Sequence, residues 1–413
     1  MRAVSVLVLG LFLQQIQAQS ILIKPARVFD GTSMHENWVV EVTGNEITYA
    51  GTTSSYTGQP DTIFVFANAT LMPGMIEAHS HVLLYPYNQT SWNDQVLKES
   101  RSLRAIRGAQ MAEKNLMAGF TTLRDLGSEG AGYADVAIKQ SIEMGIQPGP
   151  RMLVAGPAIV ATGSYGPRGF HPDMEVHLGA EAADGNDLIR VTRDQIGKGA
   201  DIIKVYADYR WGRNGESRPT FSVEELQLIV STAQSSGRQV VAHANSDEAI
   251  RRAVMAGVSS IEHGSEATLE TLRLMAQKKV GLCPTLAATH AITQYRGWNP
   301  EQDPEPAAIL EKRKLMKNAL SAGVTILTGG DVGVFPHGEN IRELELMVDY
   351  GMKPLEVLQS VTKINADAFE LSRLGQLKQG FLADLIVVSG DPSLDIVNLY
   401  KIEMVMKDGM RYR

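Results

Sequence analysis

Six residues of metal-binding or acid/base type stand out along the chain. They are His79 and His81 in a His-Ser-His triplet, Lys204 inside the apolar run "DIIKVYA", and His243, His263 and Asp331. Imidazole and carboxylate are ligands for Zn2+ and similar ions, and a catalytic site for such an ion keeps one position open for water. In His79-Ser80-His81 the period of two along a strand points both imidazoles to one face. Lys204 is the odd member, because an ammonium in an apolar interior is costly unless it is paired, neutralised or chemically altered. Burial and nearby cations depress a lysine pKa and favour the neutral amine. A neutral amine can add carbon dioxide to become a carbamate, an anion able to bind one metal with each oxygen. Two pairs of histidines suit two ions, and a carboxylated Lys204 would bridge them. Each residue alone has a plainer reading: His243 as a hydrogen-bonded core histidine, Lys204 as a side chain reaching to solvent, Asp331 as the closure of a turn. Only their placement together argues for a site.

That placement comes from eight short apolar runs between residues 72 and 331: "GMIEAHSH", "FTTLRDL", "RMLVAG", "DIIKVYA", "QVVAHAN", "SSIEHGS", "VGLCPTL" and "TILTGGD". Amphipathic segments separate them. In "SVEELQLIVSTAQSSG", Ser222 and Glu225 form a capping box and Gly237 a stop; "SDEAIRRAVMAG" starts on Ser or Asp and ends on Gly. Near-continuous apolar strands alternating with helices imply a parallel sheet, and eight repeats imply a closed (β/α)8 barrel. An open doubly wound sheet is disfavoured, since no Gly-rich phosphate loop follows the first strand. In a barrel the C-terminal strand ends form the active-site face. All six residues fall at or near that end, from five strands.

The organisation expected is therefore α/β: a TIM-like barrel over residues 72–374, with a small β-sandwich domain built from both chain ends, 19–71 and 375–413. Those ends alternate apolar and polar residues around Gly-Asn and Asp-Gly turns, the pattern of β-hairpins. Residues 1–18 read as a signal peptide: a basic start, an apolar run from Ala3 to Leu13 and a small residue, Ala18, at the cleavage site. The expected location is secreted or periplasmic. Cys283 is the single cysteine, so the fold does not depend on an internal disulfide. Sequons at Asn68 and Asn88 offer glycosylation sites in a eukaryotic host. With a net charge of −7 and no basic cluster, neither nucleic acid nor an anionic membrane is an expected partner. A small-molecule substrate is, and a homo-oligomer is allowed.

The motifs "LMPGMIEAHSH", "GFTTLRDLG", "GADIIKVYA", "VVAHANSDEAIRRAVMAGVSSIEHGS", "GGDVGVFPHGEN" and "GQLKQGFLADLIVVSGDP" cover nearly everything after the leader. Through them the chain resembles the amidohydrolase superfamily, in particular its imidazolonepropionase-like branch with the Xaa-Pro dipeptidase-like, ochratoxinase-like and arginine-carboxypeptidase-like enzymes. The resemblance implies two divalent ions, with zinc expected, one on His79 and His81 and the other on His243 and His263. Lys204 becomes the carboxylated bridge (N6-carboxylysine), and Asp331 a ligand that also carries a proton. The implied chemistry is metal-assisted hydrolysis of an amide, releasing a C-terminal amino acid from a dipeptide or N-acyl amino acid.

Substrate recognition is expected from the loop after strand four, "YADYRWGRNGESRP", where Tyr209 and Arg210 would clamp a carboxylate. Tyr165 and Arg168 in "ATGSYGPRGF" are second candidates, and Tyr165 stands where many relatives carry a histidine. His337, in "FPHGEN", is expected to face substrate or to back a metal ligand, with a merely structural role as the plainer reading. The strand-eight motif, often Gly-Thr-Asp in the superfamily, is here Gly329-Gly330-Asp331. Two other functions fit the same pattern: a cyclic amidase with one metal, resembling imidazolonepropionase, and a barrel kept as a non-catalytic binding module.

Overall fold

The structure, a computed structural model, describes residues 19–413; the expected signal peptide lies outside the described residues. Both ends of the described chain build one eight-stranded sheet. Its hub is the strand Thr62–Pro73, which pairs in parallel with Ser20–Phe29 and antiparallel with Leu385–Ser389, so the two chain ends meet across it. The last hairpin turns through Asp408-Gly409, both with positive φ (49° and 72°), the conformation that two-residue hairpins favour and that Gly accepts at no steric cost. The sheet folds back on itself. Ile47 N donates to Phe381 O at 2.9 Å and Ala383 N to Asn45 O at 2.8 Å, closing the layers over Ile23, Val40, Leu71, Leu385 and Met404. The β-sandwich expected from the two chain ends takes this form.

Between these ends, the parallel strands Met75–Ser80, Phe120–Asp125 and Arg151–Val154 form one sheet. Ile203–Tyr206, Val240–Ala244, Ser260–His263 and Gly281–Cys283 run side by side in another. Asp201 N donates to Val154 O at 2.8 Å, joining the third strand to the fourth. The eighth segment, expected as a strand, is irregular. It pairs through Leu282 and Ile326 on one side, and on the other through Ala78 N to Thr328 O (3.0 Å) and Asp331 N to His79 O (2.9 Å). The ring of eight is thereby closed. Its irregular close has a steric cause: a Cβ on Gly329 would lie 2.6 Å from His79 N, so only glycine lets the chain press this near the first strand.

Helices follow the strands in turn, from Arg101–Met117 to Ile341–Asp349. The capping box is present, with Ser222 Oγ accepting from Glu225 N and the Glu225 carboxylate from Ser222 N. Gly257 caps Asp247–Ala256 in the left-handed conformation. Ile203, Val205, Val240, Ala242 and Ala244 enter the large core between the ring and its helices. Alternation then turns Lys204, Tyr206 and His243 to the inside. Among the described residues no helix is long and apolar enough to cross a membrane.

Candidate functional site

At the C-terminal mouth of the ring, a cavity of about 590 Å³ is bordered by His79, His81, His243, His263 and Asp331. His79 Nε2 and His81 Nε2 lie 3.3 Å apart. Asp331 Oδ1 is 3.7 Å from the first and 3.4 Å from the second. Ligand atoms of His79, His263 and Asp331 all fall within 4.8 Å of one another. The rings of His263 stand 5.2 Å from His79 and 4.5 Å from His243, centre to centre.

Each imidazole is held by one nitrogen, which leaves the other for a ligand. His79 Nδ1 bonds to Glu262 Oε2 at 2.8 Å, and His81 Nδ1 donates to Gly127 O at 2.9 Å. His263 Nδ1 shares a 2.7 Å hydrogen bond with Thr285 Oγ1. Asn245 Nδ2 lies 3.1 Å from His243 Nε2, with Asp208 Oδ1 at 3.6 Å. Such outer partners fix the orientation of metal-binding histidines. Burial holds His79, His243 and His263 well below the ordinary histidine pKa, with neighbouring cations, Lys204 among them, adding to the effect on each, which favours the neutral rings that ligate. Asp331 Oδ1 is buried without a hydrogen-bond partner while facing two imidazole nitrogens. An oxygen left bare among neutral nitrogens is the donor set a divalent cation would satisfy.

Two of these residues depart from regular strand geometry. Alternation sends Ile261 outward into the main core and Glu262 inward, so His263 would also point outward; its φ of +74° ends the strand there. Asp331 has φ +62°. Left-handed non-glycine residues store strain that the surroundings must hold. Part of the hold on His263 is Lys312, a buried lysine whose Nζ donates to His263 O (2.8 Å) and Pro284 O (2.7 Å). Lys312→Met keeps the stem but strands both carbonyls, and should cost about 1–3 kcal/mol of folding stability. Urea denaturation measures this, and an unchanged midpoint would show that other donors satisfy both carbonyls.

Lys204 is 1% exposed, and burial lowers its pKa while Glu262 and Asp331 pull the other way. Asp331 is pushed up to about 6 by burial, against the pull of His81 and Lys204.

The substrate candidates converge beside this centre. The loop after strand four is a small hairpin, Asp208–Tyr209 paired with Arg218–Pro219. It brings Tyr209 and Arg210 to a second cavity, about 290 Å³, shared with Tyr165, Arg168 and His243. Arg168 Nε donates to the Tyr209 hydroxyl at 3.1 Å. His337 does not join them. It is buried, bonded to Asn115 through Nδ1 (3.0 Å), and borders a separate cavity with Lys114 and Arg413. Its place among the substrate residues is thereby corrected: Asn115, from the helix after the first strand, holds the ring against the backbone of His81 and Leu84, outside the cavity.

Sequence reasoning passed over Arg124, Glu262, Asp208 and Glu129. Arg124 Nη2 donates to Glu262 Oε1 at 2.7 Å, a buried pair that backs His79. Like Lys204, Arg124 is a cation inside an apolar strand run, and that signal alone marks it.

The amidohydrolase family model matches residues 70–411. The chain belongs to the amidohydrolase family. Among its relatives, the ochratoxinase of Aspergillus niger is 31% identical over 357 residues, covering 79% of this chain and 71% of the ochratoxinase. A solved Xaa-Pro dipeptidase with methionine bound in its active site superposes with a TM-score of 0.85 at 28% identity, covering 96% of this chain and 100% of that one. A prolidase complexed with N-methylphosphonate-L-proline gives 0.81 at 26% identity, covering 96% and 100%. This amidohydrolase is a hydrolase of amide carbon–nitrogen bonds, of a family that generally binds divalent metals, and its His/Asp cluster is a candidate metal site.

Proposed function

We propose that this amidohydrolase is a binuclear, zinc-dependent enzyme that releases a C-terminal amino acid from a dipeptide or N-acyl amino acid. The observation that carries the reading is the meeting of two sets of residues at one mouth: the histidine and Asp331 cluster, and an aromatic pocket with guanidinium donors directly beside it. His79 and His81 would hold one ion, His243 and His263 the other, with Asp331 completing the first set. Lys204, buried near them, would bridge as a carbamate. Bound there, the ions supply Lewis-acid polarisation of the scissile carbonyl and a water of lowered pKa. Asp331 takes a proton from the attacking water and passes it to the leaving nitrogen, work suited to one carboxylate facing the mouth.

Tyr209 and Arg210 hold the substrate carboxylate, with Tyr165 and Arg168 walling the same pocket. Arg210 donates a planar fork that matches a carboxylate, and the Tyr209 hydroxyl adds a hydrogen bond. Both ligands named with the related dipeptidase and prolidase structures are amino acids or amino-acid derivatives, which supports a pocket of this kind. Amidating the substrate carboxylate should then cost a charge-assisted hydrogen bond, about 1.5–3 kcal/mol, or roughly ten- to a hundredfold in kcat/KM. The comparison is a dipeptide against its C-terminal amide, on the wild type, Tyr209→Phe and Arg210→Ala. Equal rates for acid and amide on the wild type would end the carboxylate requirement. A preference unchanged in both variants would move the clamp to other residues.

A further inference from the structure

One carboxylate in the mouth has no part in the chemistry above. Glu129, in the loop after the second strand, borders the same cavity as His79, His81 and Asp331. Its backbone is left-handed (φ +49°), a conformation costly for any residue but glycine. A buried guanidinium holds it there. Arg104 donates to Glu129 O at 2.6 Å and to Ser128 O at 3.3 Å, and by Nε and Nη2 to Leu83 O at 3.1 and 3.0 Å. This clasp ties the loop to the segment just beyond His81 and commits the Arg104 charge to carbonyls, not to the Glu129 side chain.

The Glu129 carboxylate is 1% exposed and receives only neutral donors. Trp92 Nε1 and the Tyr165 hydroxyl each reach Oε2 at 2.7 Å; Oε1 has the Tyr206 hydroxyl at 3.4 Å. His81 Nδ1 lies 4.0 Å from Oε1 but is already given to Gly127 O. Arg104 acts on the Glu129 carboxylate through space but is not bonded to it. A buried carboxylate with no cation bonded to it is costly, and each of its oxygens can accept more than one hydrogen bond. Oε1 therefore has room for a strong donor. The other cavity carboxylates are otherwise placed: Asp331 faces the imidazoles, Glu216 pairs with Arg218, and Glu266 is exposed at the rim.

We infer that Glu129 is a specificity-determining residue that reads a positive charge on the acyl side of the scissile amide, such as the α-ammonium of a dipeptide. This rests on the proposed amide hydrolysis. A group one carbon from the scissile carbonyl must sit in the mouth beside the histidines, and Glu129 is the buried carboxylate there with acceptor capacity to spare. An ammonium would complete it with a charge-assisted hydrogen bond. A role as a strut for Trp92 and Tyr165 is the competing account, and substrate pairs separate the two.

The test uses a dipeptide and the same compound with hydrogen in place of its α-ammonium, on the wild type and Glu129→Gln. The wild type should prefer the dipeptide by about ten- to a hundredfold in kcat/KM, and Glu129→Gln should lose that factor on the dipeptide alone. Equal wild-type rates on both compounds would overturn the assignment, and that arm needs no variant to fold. An equal loss on both compounds in Glu129→Gln would also overturn it, leaving the strut. If the wild type cleaves neither compound, the amide-hydrolase reading itself falls and takes this inference with it.

Discussion

Replacing Lys204 with alanine should strip the protein of most of its bound metal and nearly all of its activity. The residue is 1% exposed, sits on the inward face of its strand, and lies close enough to His79, His243 and His263 for its charge to act on all three. As a free ammonium it would repel cations placed among those rings; as a carbamate it would hold two. Losing an outer partner of a metal ligand costs roughly 10–100-fold in metal affinity or activity, and loss of a bridging ligand should exceed that. Short carboxylic acids, small enough for the space left by the lysine stem, should restore part of both. Metal analysis and turnover on the same preparation check the expectation. A Lys204→Ala protein that keeps two metals and near-normal turnover would contradict the bridge.

Asp331→Asn should leave the fold intact and lower kcat by roughly 10²–10⁴, the range for loss of a general acid/base. Asparagine keeps the shape and one acceptor oxygen, so much of the metal affinity should survive, but it cannot carry a proton at neutral pH. The two oxygens of Asp331 are not equivalent. Oδ1 faces the Nε2 atoms of His79 and His81 and has no hydrogen bond of its own. The backbone is held left-handed by its bond from Asp331 N to His79 O and by the Gly329 contact with the first strand. The side chain is thus aimed by the ring closure itself. A fall of less than tenfold, with metal content intact, would place the proton transfer on another group.

The parts of the site that follow strand alternation were legible in the sequence. Lys204 and His243 lie on inward faces because their neighbours Ile203, Val205, Ala242 and Ala244 belong to the outer core, and His79 and His81 share a face by the period of two. For the parts set by backbone strain the residues were legible, but not the geometry that aims them. His263 and Asp331 leave regular strand geometry through positive φ, which residue type does not announce. Asp331 could be placed only by its position at the end of a run, and that run is irregular where Gly329 presses against His79. Glu129 was invisible for a related reason: its place depends on Arg104, a residue of a distant helix, clasping carbonyls of two loops. His337 illustrates the converse, since nearness in sequence to Asp331 does not carry it into the mouth when Asn115 binds its ring elsewhere. Charged residues inside apolar strands were the most dependable signal. Lys204 and Arg124 both satisfy it, and both back the histidine cluster.

The central claim is a binuclear hydrolase, and the metal content of the purified full chain tests it most directly. Elemental analysis of protein prepared in zinc and bicarbonate, freed of loosely held ions, should find two metals per chain. One metal per chain would favour the cyclic amidase and leave Lys204 without a task, and none would favour a binding barrel; either result contradicts the account.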